Sequence, residues 1–234
     1  MALWCANCQA YCSNFDQFRR LDGRVRMDAM LDVAVPPAVA ADLAAIGRFV
    51  AARGWVPATA GNFSCRIDAT HAAVTRSGID KGNIRAQDLI AVPLAGKLPA
   101  GVSAETPLHV ARYRRDPGVG AVVHVHTVAA TVLSRADAAQ GFVELDGFEM
   151  HKSLRGITTH ESILHLPVFA NDQDTGRLAE RIEESLSDDA PVPGYLLAGH
   201  GLYAWGPTMA DAQRHLEGLE FLLQCSLEER RLRR

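Results

Sequence analysis

Two histidines, His124 and His126, lie in residues 121–127, a run otherwise made of alanine, valine and one threonine. Residues i and i+2 of a β-strand point to the same face of a sheet, so the two imidazoles share a face while Val123 and Val125 point into the core. Burying two imidazoles costs free energy unless a ligand engages them, and zinc is commonly held by histidine side chains. The pattern therefore predicts a buried strand that carries a metal site, with two separate core histidines as the alternative.

A third histidine, His200, lies between Gly199 and Gly201 at a predicted junction of two strands. Glycine at such a junction permits a sharp turn or the close approach of a ligand to the backbone. Catalytic zinc is usually held by three protein ligands and keeps one open position. His200 is therefore the candidate third ligand, and a simple turn histidine is the alternative.

The composition fits one domain with a sizeable core, since 48% of the 234 residues are hydrophobic. The net charge of −3 gives no basic surplus for binding nucleic acid or an anionic membrane. No apolar run reaches the roughly 18–20 residues that span a bilayer. The 5 cysteines are odd in number and unevenly spaced, which favours a reducing cytoplasm over a disulfide framework.

The first residues differ from the rest of the chain. Residues 1–34 show no clear periodicity and are predicted to form a loosely ordered extension, with the catalytic domain at 35–234. Cys5, Cys8 and Cys12 have the spacing of a metal clip, but no fourth ligand lies near them. Met27 or Met30 is an alternative start of the chain.

Periodicity and turn residues predict a mixed α/β chain with eight or nine strands around one core. Leu43, Ile46 and Val50 recur at helical spacing and predict a helix that buries one face. Asp174 and Thr208 stand where an N-cap is expected, each before a further helical stripe.

Five segments, taken in order, resemble the class II (zinc) aldolase superfamily. They are Ala-Gly-Asn-Phe-Ser at 60–64, Thr-Arg-Ser-Gly at 75–78, Ser-Ala-Glu-Thr-Pro-Leu-His at 103–109, His-Val-His at 124–126 and His-Gly at 200–201. The resemblance implies a single-domain α/β fold whose central, mostly antiparallel sheet is flanked by helices on both sides. It also implies one Zn²⁺ per subunit on His124, His126 and His200, a sugar-phosphate substrate and a homotetramer.

In that family, small-residue loops bind the substrate phosphate through backbone and hydroxyl donors. Glycine lets the backbone approach closely, and successive N–H groups form an anion nest. The alternative is that such residues merely form turns. The positions that the resemblance assigns to phosphate binding are Gly61, Asn62, Ser77, Gly78, Lys81 and Ser103.

The segments 147–154 and 201–206 resemble one branch of the superfamily, the methylthioribulose-1-phosphate dehydratases. This implies zinc-dependent loss of water from 5-methylthioribulose 1-phosphate, giving 2,3-diketo-5-methylthiopentyl 1-phosphate in methionine salvage. Glu149 matches the proton-transfer residue of the branch and is the first choice for that role. Glu105 matches the acid/base glutamate of the aldolases and is the second choice. The alternatives are a solvated surface acid for Glu149 and a helix-start residue for Glu105.

Two other functions remain open from the sequence. An aldolase or epimerase acting on a fuculose, rhamnulose or ribulose phosphate would share the metal and the phosphate loops. A non-catalytic binding module, like the head domain of adducin, should have lost the metal ligands that this chain retains. The remaining histidines are expected to have no direct catalytic role, although His109 lies one helical turn from Glu105.

Overall fold

The computed structural model describes residues 33–186 and 192–233, which form one α/β domain. The predicted extension at 1–34 lies outside the described residues apart from Val33 and Ala34, and so does its cysteine cluster. The described helices are α1 (Pro37–Ala52), α2 (Thr106–Arg115), α3 (Val128–Ala136), α4 (Thr175–Ser185) and α5 (Met209–Leu232). The described strands are β1 (Asn62–Arg66), β2 (His71–Thr75), β3 (Leu89–Pro93), β4 (Ala121–Val125), β5 (Phe142–Leu145), β6 (Leu164–Phe169), β7 (Gly194–Leu197) and β8 (Gly201–Gly206). Short 3-10 helices cover Pro57–Thr59, Lys81–Asn83, Ala86–Asp88 and Glu149–Ser153.

The strands form one sheet in the order β3-β2-β1-β4-β8-β7-β6-β5. Only β6 and β7 run parallel among these neighbours, which confirms the mostly antiparallel sheet. Strand β4 lies inside the sheet, and its register places His124 between Asn62 of β1 and Tyr203 of β8. The first predicted metal ligand is therefore held from both sides by backbone pairing.

Helices cover both faces of this sheet. Leu43, Ile46 and Val50 of α1 are fully buried in one apolar cluster together with residues of α3 and α5, as the helical stripe predicts. A second apolar cluster on the other face contains Leu108 of α2 and Leu178 of α4. Among the described residues, no helix is both long enough and apolar enough to cross a membrane.

Side-chain caps fix where α4 and α5 begin. Asp174 accepts a hydrogen bond from the Arg177 backbone N–H, and Thr208 accepts one from that of Asp211, so both predicted N-caps are confirmed.

Strand β5 is not predicted from the sequence. This strand has only four residues at the edge of the sheet, and its position depends on pairing with β6 rather than on a strong pattern of its own.

His215 of α5 forms hydrogen bonds through both ring nitrogens, one to the end of β8 and one to Arg155. Its Nδ1–H donates to the Trp205 carbonyl at 2.7 Å, and its Nε2 accepts from the Arg155 backbone N–H at 3.2 Å. Burial lowers the pKa of His215 below its ordinary value of 6.5. A protonated ring could not accept the bond from Arg155, so the neutral form is the one that stabilises the fold.

Acid should therefore weaken this anchor. The contribution of neutral His215 is fully present above pH 6.5 and is lost as the pH falls through 6.5 towards the lowered pKa, because the unfolded chain then binds a proton that the folded chain excludes. We expect H215Q, whose amide donates and accepts without titrating, to lose less unfolding free energy than wild type between about pH 7 and about pH 5 in urea titrations. Equal losses in the two proteins would contradict this role.

Candidate metal centre and active site

The first two predicted ligands meet at the end of β4. His124 is fully buried and stacks on Tyr203, with 3.9 Å between ring centroids. His126 follows the strand and is fixed by its backbone N–H, which donates to the Trp55 carbonyl at 2.9 Å. The Nε2 atoms of the two histidines are 2.9 Å apart, so the strand alternation brings the imidazoles together as predicted.

His200 reaches the same point from the turn between β7 and β8. Its Nε2 lies 3.1 Å from that of His126, and its carbonyl accepts a hydrogen bond from Thr131 Oγ1 at 3.0 Å. Gly201 follows, and a Cβ there would lie 2.2 Å from the Val125 carbonyl oxygen. Glycine is thus required at this position for β8 to approach β4 closely enough to bring His200 onto the other two histidines.

Glu105 completes the cluster from the N-terminal end of α2. Its Oε1 lies 2.8 Å from His200 Nε2, and its Oε2 lies 3.6 Å from His124 Nε2. The potential ligand atoms of the three histidines and Glu105 all lie within 4.8 Å of one another. These four side chains form a group able to bind a metal ion.

The hydrogen-bonding pattern favours a cation among these imidazoles. His124 Nδ1 donates to the Leu202 carbonyl at 3.0 Å, which leaves the Nε2 of His124 as a bare lone pair. His126 Nε2 lies within 3.1 Å of both other Nε2 atoms, and one proton on it could serve only one of them. A metal with Zn–N bonds of about 2.0–2.1 Å holds tetrahedral nitrogens about 3.3 Å apart, a few tenths of an ångström beyond the separations found here. The donor set therefore fits a zinc-sized ion with a small expansion.

The charges of the site are also arranged for a cation. Burial lowers the pKa of His124 well below its usual value, and burial together with His200 lowers that of His126 to about 4, so both rings are neutral ligands at physiological pH. Burial alone would raise the pKa of Glu105. Hydrogen bonds with His200 and the Asn62 amide, together with the positive charge of the imidazoles when they are protonated, outweigh it, so this pKa lies below its ordinary value and Glu105 is ionised.

The cluster opens into a cavity of about 610 Å³. Ser77, Ser103 and Glu105 line it together with His126 and His200. Its size lies within the range of about 300–1,000 Å³ that is typical of small-molecule sites. Polar hydroxyl donors and a metal-binding group thus share one cleft of suitable size.

A family model described as the class II aldolase and adducin N-terminal domain matches residues 41–227. This chain belongs to that family. The match spans both the histidine cluster and the cavity, so the site just described is the site of a class II aldolase domain.

Curated relatives are similar over nearly their whole length. The chain is 50% identical to a protein of Parvibaculum lavamentivorans, covering 79% of this chain and 91% of the relative. It is 49% identical to one of Sorangium cellulosum (82% and 92% covered) and 47% identical to one of Marinobacter nauticus (88% and 100% covered). All three relatives are named methylthioribulose-1-phosphate dehydratase.

Solved structures of class II aldolases share the fold. The L-fuculose-1-phosphate aldolase of Thermus thermophilus superposes with a TM-score of 0.69 at 30% identity, covering 84% of this chain and 97% of that one. A further L-fuculose 1-phosphate aldolase gives a TM-score of 0.68 at 22% identity, covering 85% and 89%.

Of the residues expected to bind phosphate, Gly61, Asn62, Gly78 and Lys81 do not line the cavity. Gly61 has a φ of +75°, and a Cβ there would lie 2.6 Å from the His124 carbonyl oxygen, so this loop must carry glycine to pass the metal centre. Gly78 also has a positive φ, of +72°, beside the cavity residue Ser77. The Asn62 side chain is directed inward, where its amide donates to Ser103 Oγ and to Glu105.

Lys81 is buried, and its ammonium group is already engaged. It donates to the Thr59 and Ile79 carbonyls at 2.9 and 3.0 Å. These bonds brace the loop at Ala58 and Thr59, two non-glycine residues with positive φ. Burial lowers the pKa of Lys81 against the opposing charge of Glu105, and the Lys81 charge contributes to the lowered pKa of His126.

Glu149, the first-choice proton-transfer residue, lies elsewhere on the chain. Its side chain is 71% exposed, forms an ion pair with Lys152 at 2.6 Å, and does not line the cavity of its own chain. The 3-10 helix Glu149–Ser153 is fixed by Arg214, which donates to the Ser153 carbonyl at 2.8 Å. Arg155, which follows this helix, contacts His215 beside Trp205, at the end of β8 away from the cluster. Trp205 lies about four residues, or ~13 Å along the strand, from Gly201.

The loop that follows β6 also lines the cavity, although no role in the site was predicted for it from the sequence. Asn171, Asp172 and Gln173 line the cavity together with Thr175. Thr175 Oγ1 donates to the Ala104 carbonyl at 2.7 Å, which joins this loop to the segment that carries Glu105. The cluster of short polar residues directly after a strand is the signal that could have indicated this part of the site.

Proposed function

We propose that this protein is a metal-dependent hydro-lyase that converts 5-methylthioribulose 1-phosphate into 2,3-diketo-5-methylthiopentyl 1-phosphate and water, a step of methionine salvage. The observation that carries this proposal is the name shared by relatives at 47–50% identity over most of the chain. The convergence of three histidines and Glu105 at a cavity of substrate size supports it.

We assign Zn²⁺ to His124, His126 and His200, one ion per subunit. Three imidazoles with a carboxylate beside them are a donor set of the kind that zinc favours, and a catalytic zinc site with three protein ligands would keep a fourth position for substrate. When bound, the ion supplies Lewis-acid polarisation of the substrate carbonyl, which acidifies the neighbouring C–H bond.

The phosphate end of the substrate is assigned to the small-residue loops. Ser77 and Ser103 offer hydroxyl groups at the cavity wall, and Gly61 and Gly78, both with positive φ, lie in these loops. Lys81 adds a positive charge behind these loops. The dianion is thus bound by oriented donors, a common form of phosphate recognition.

Dehydration needs two proton transfers: the C3 proton leaves carbon, and the C4 hydroxyl takes up a proton as it departs as water. The resulting enol then becomes the 2,3-diketone. We assign one transfer to Glu105, which is ionised and lies against the histidine cluster. We assign the other to Glu149, the first choice from the sequence.

The assignment of Glu149 requires a second subunit, because this residue does not line the cavity of its own chain. The exposed face of α3 supports a subunit contact near the metal centre. Val128 and Val132, one turn apart and close to His126 in the sequence, are 70% and 44% exposed. Contiguous exposed apolar surface is a mark of protein–protein contacts, and we propose a cytoplasmic homotetramer.

Mixed oligomers test whether Glu149 acts across an interface. E149Q and H126A subunits, each with its own affinity tag, would be co-expressed, purified through both tags and assayed beside each parent. We expect each parent to be inactive and the mixed oligomer to regain activity, because the metal site of an E149Q subunit then meets Glu149 of an H126A subunit. Mixed oligomers without activity, or an E149Q parent with nearly normal turnover, would contradict the assignment.

The substrate is tested by comparing kcat/KM for 5-methylthioribulose, fuculose and rhamnulose 1-phosphates, with and without a chelator. The kcat/KM for 5-methylthioribulose 1-phosphate is expected to exceed the other two by at least about 100-fold, roughly 3 kcal/mol of transition-state discrimination. This activity is expected to depend on the metal. A preference for either other sugar phosphate would favour an aldolase.

A further inference from the structure

A continuous line of buried side chains leads from Glu105 into the domain. Asn62 Nδ2 donates to the Glu105 carboxylate, and Asn62 Oδ1 contacts His109 Nε2. His109 Nδ1 lies 2.7 Å from Ser64 Oγ, which in turn lies 2.8 Å from the Tyr113 hydroxyl. The four inner residues are at most 2% exposed.

Strand β1 and helix α2 position these side chains. Asn62 and Ser64 are residues i and i+2 of β1, so they share one face of the sheet. Glu105, His109 and Tyr113 recur every four residues at the start of α2 and along it, so they share one face of the helix. The strand face and the helix face meet, and hydrogen bonds alternate between them.

With a neutral His109, one arrangement of protons satisfies all four contacts. A carboxylate only accepts, so the Asn62 amide must present its N–H₂ to Glu105 and its carbonyl to His109. His109 must then donate from Nε2. Burial lowers its pKa to about 4, so the ring is neutral and its Nδ1 accepts. Ser64 donates to His109 and accepts from Tyr113. Every donor therefore points towards Glu105, and such chains strengthen cooperatively.

We propose that His109 is a positioning residue for Glu105. It fixes the orientation of the Asn62 amide, and that amide holds the carboxylate against the His124 and His200 imidazoles. The proposal rests on the proposed function insofar as Glu105 transfers a proton. Without His109, the Asn62 carbonyl loses its donor, and the amide that holds Glu105 keeps only its contacts with Ser103 and Glu105 itself, while the three histidines keep their positions.

Turnover by H109F and H109Q provides the first test. Phenylalanine keeps the ring volume without the donor, whereas the amide N–H₂ of glutamine can replace the Nε2–H. We expect H109F to retain metal and KM and to lose about 10- to 100-fold in kcat, as second-layer partners of metal sites do, and H109Q to recover most of it. H71F is the control, because His71 begins β2 and its ring contacts Thr70 and Asp68, none of which belongs to the site. Equal losses in H109F, H109Q and H71F would indicate a merely structural role and overturn the proposal.

A double-mutant cycle tests whether His109 acts through Glu105. In an E105Q background, H109F is expected to cost little further activity, because the group it positions is already gone. If the fold-losses of H109F and E105Q multiply in the double variant, His109 acts independently of Glu105 and the proposal is overturned.

A spectroscopic readout keeps this test separate from the identity of the substrate. The hydrogen-bonded Nε2–H proton of His109 can be observed by ¹H–¹⁵N correlation in the full-length chain and assigned by its loss in H109Q. We expect E105Q to shift the resonance of this proton, because the line of hydrogen bonds then no longer ends on an anion. The resonance of the His215 Nδ1–H, which is bonded to Trp205, should stay unchanged. An unmoved His109 resonance would overturn the proposal even if dehydration is confirmed. A shift without any turnover of the sugar phosphate would uphold the proposal and reject the proposed function.

Discussion

The H126A variant is expected to lose its bound divalent metal and to lose dehydration activity by well over 100-fold. His126 lies at the centre of the cluster, with its Nε2 at 2.9 Å from that of His124 and 3.1 Å from that of His200. Removing a mere hydrogen-bonding partner of a metal ligand already costs about 10- to 100-fold in affinity or activity, so removing the central ligand should cost more. Metal analysis by mass spectrometry of the purified protein measures the first effect, and a steady-state assay measures the second.

H165A is a suitable control for this variant. His165 is exposed on β6, where it pairs with Glu144 far from the cluster. It should keep both the metal and the activity of wild type. Full metal content in H126A would show that the three histidines are not the metal site.

The second large effect is expected for E105Q, a fall in kcat of about 10²- to 10⁴-fold, the usual contribution of one positioned acid or base. Glutamine preserves the size of the side chain and an oxygen that can accept from Asn62, but it cannot take up a proton. The three imidazoles remain, so the variant should still bind metal. Turnover near that of wild type in metal-loaded E105Q would remove Glu105 from the chemistry. E161Q, a change at an exposed glutamate, controls for the loss of one charge.

Local patterns in the sequence predicted the three histidines that the structure brings together. His124 and His126 follow from strand alternation, and the glycines around His200 indicated the close approach that Gly201 makes to β4. The helix stripe at Leu43, Ile46 and Val50 was predicted in the same way. The order of the strands did not follow from periodicity, and the resemblance to a family supplied the expected architecture.

Features that depend on long-range pairing could not be predicted from the sequence. The line from Asn62 through His109 to Tyr113 joins a strand to a helix more than forty residues away, so no local spacing indicates it. The sequence ranks Glu149 ahead of Glu105, whereas the fold places only Glu105 at the cluster of its own chain. Roles that arise between subunits have no local signature, so this ranking stays a prediction for the mixed-oligomer experiment.

The mass of the product formed from 5-methylthioribulose 1-phosphate tests the central claim most directly. The purified, metal-loaded protein should yield a single phosphorylated product lighter than the substrate by one water, and a chelator should abolish its formation. Two smaller carbonyl fragments, or an isomer of unchanged mass, would contradict dehydration and indicate an aldolase or an epimerase at the same site.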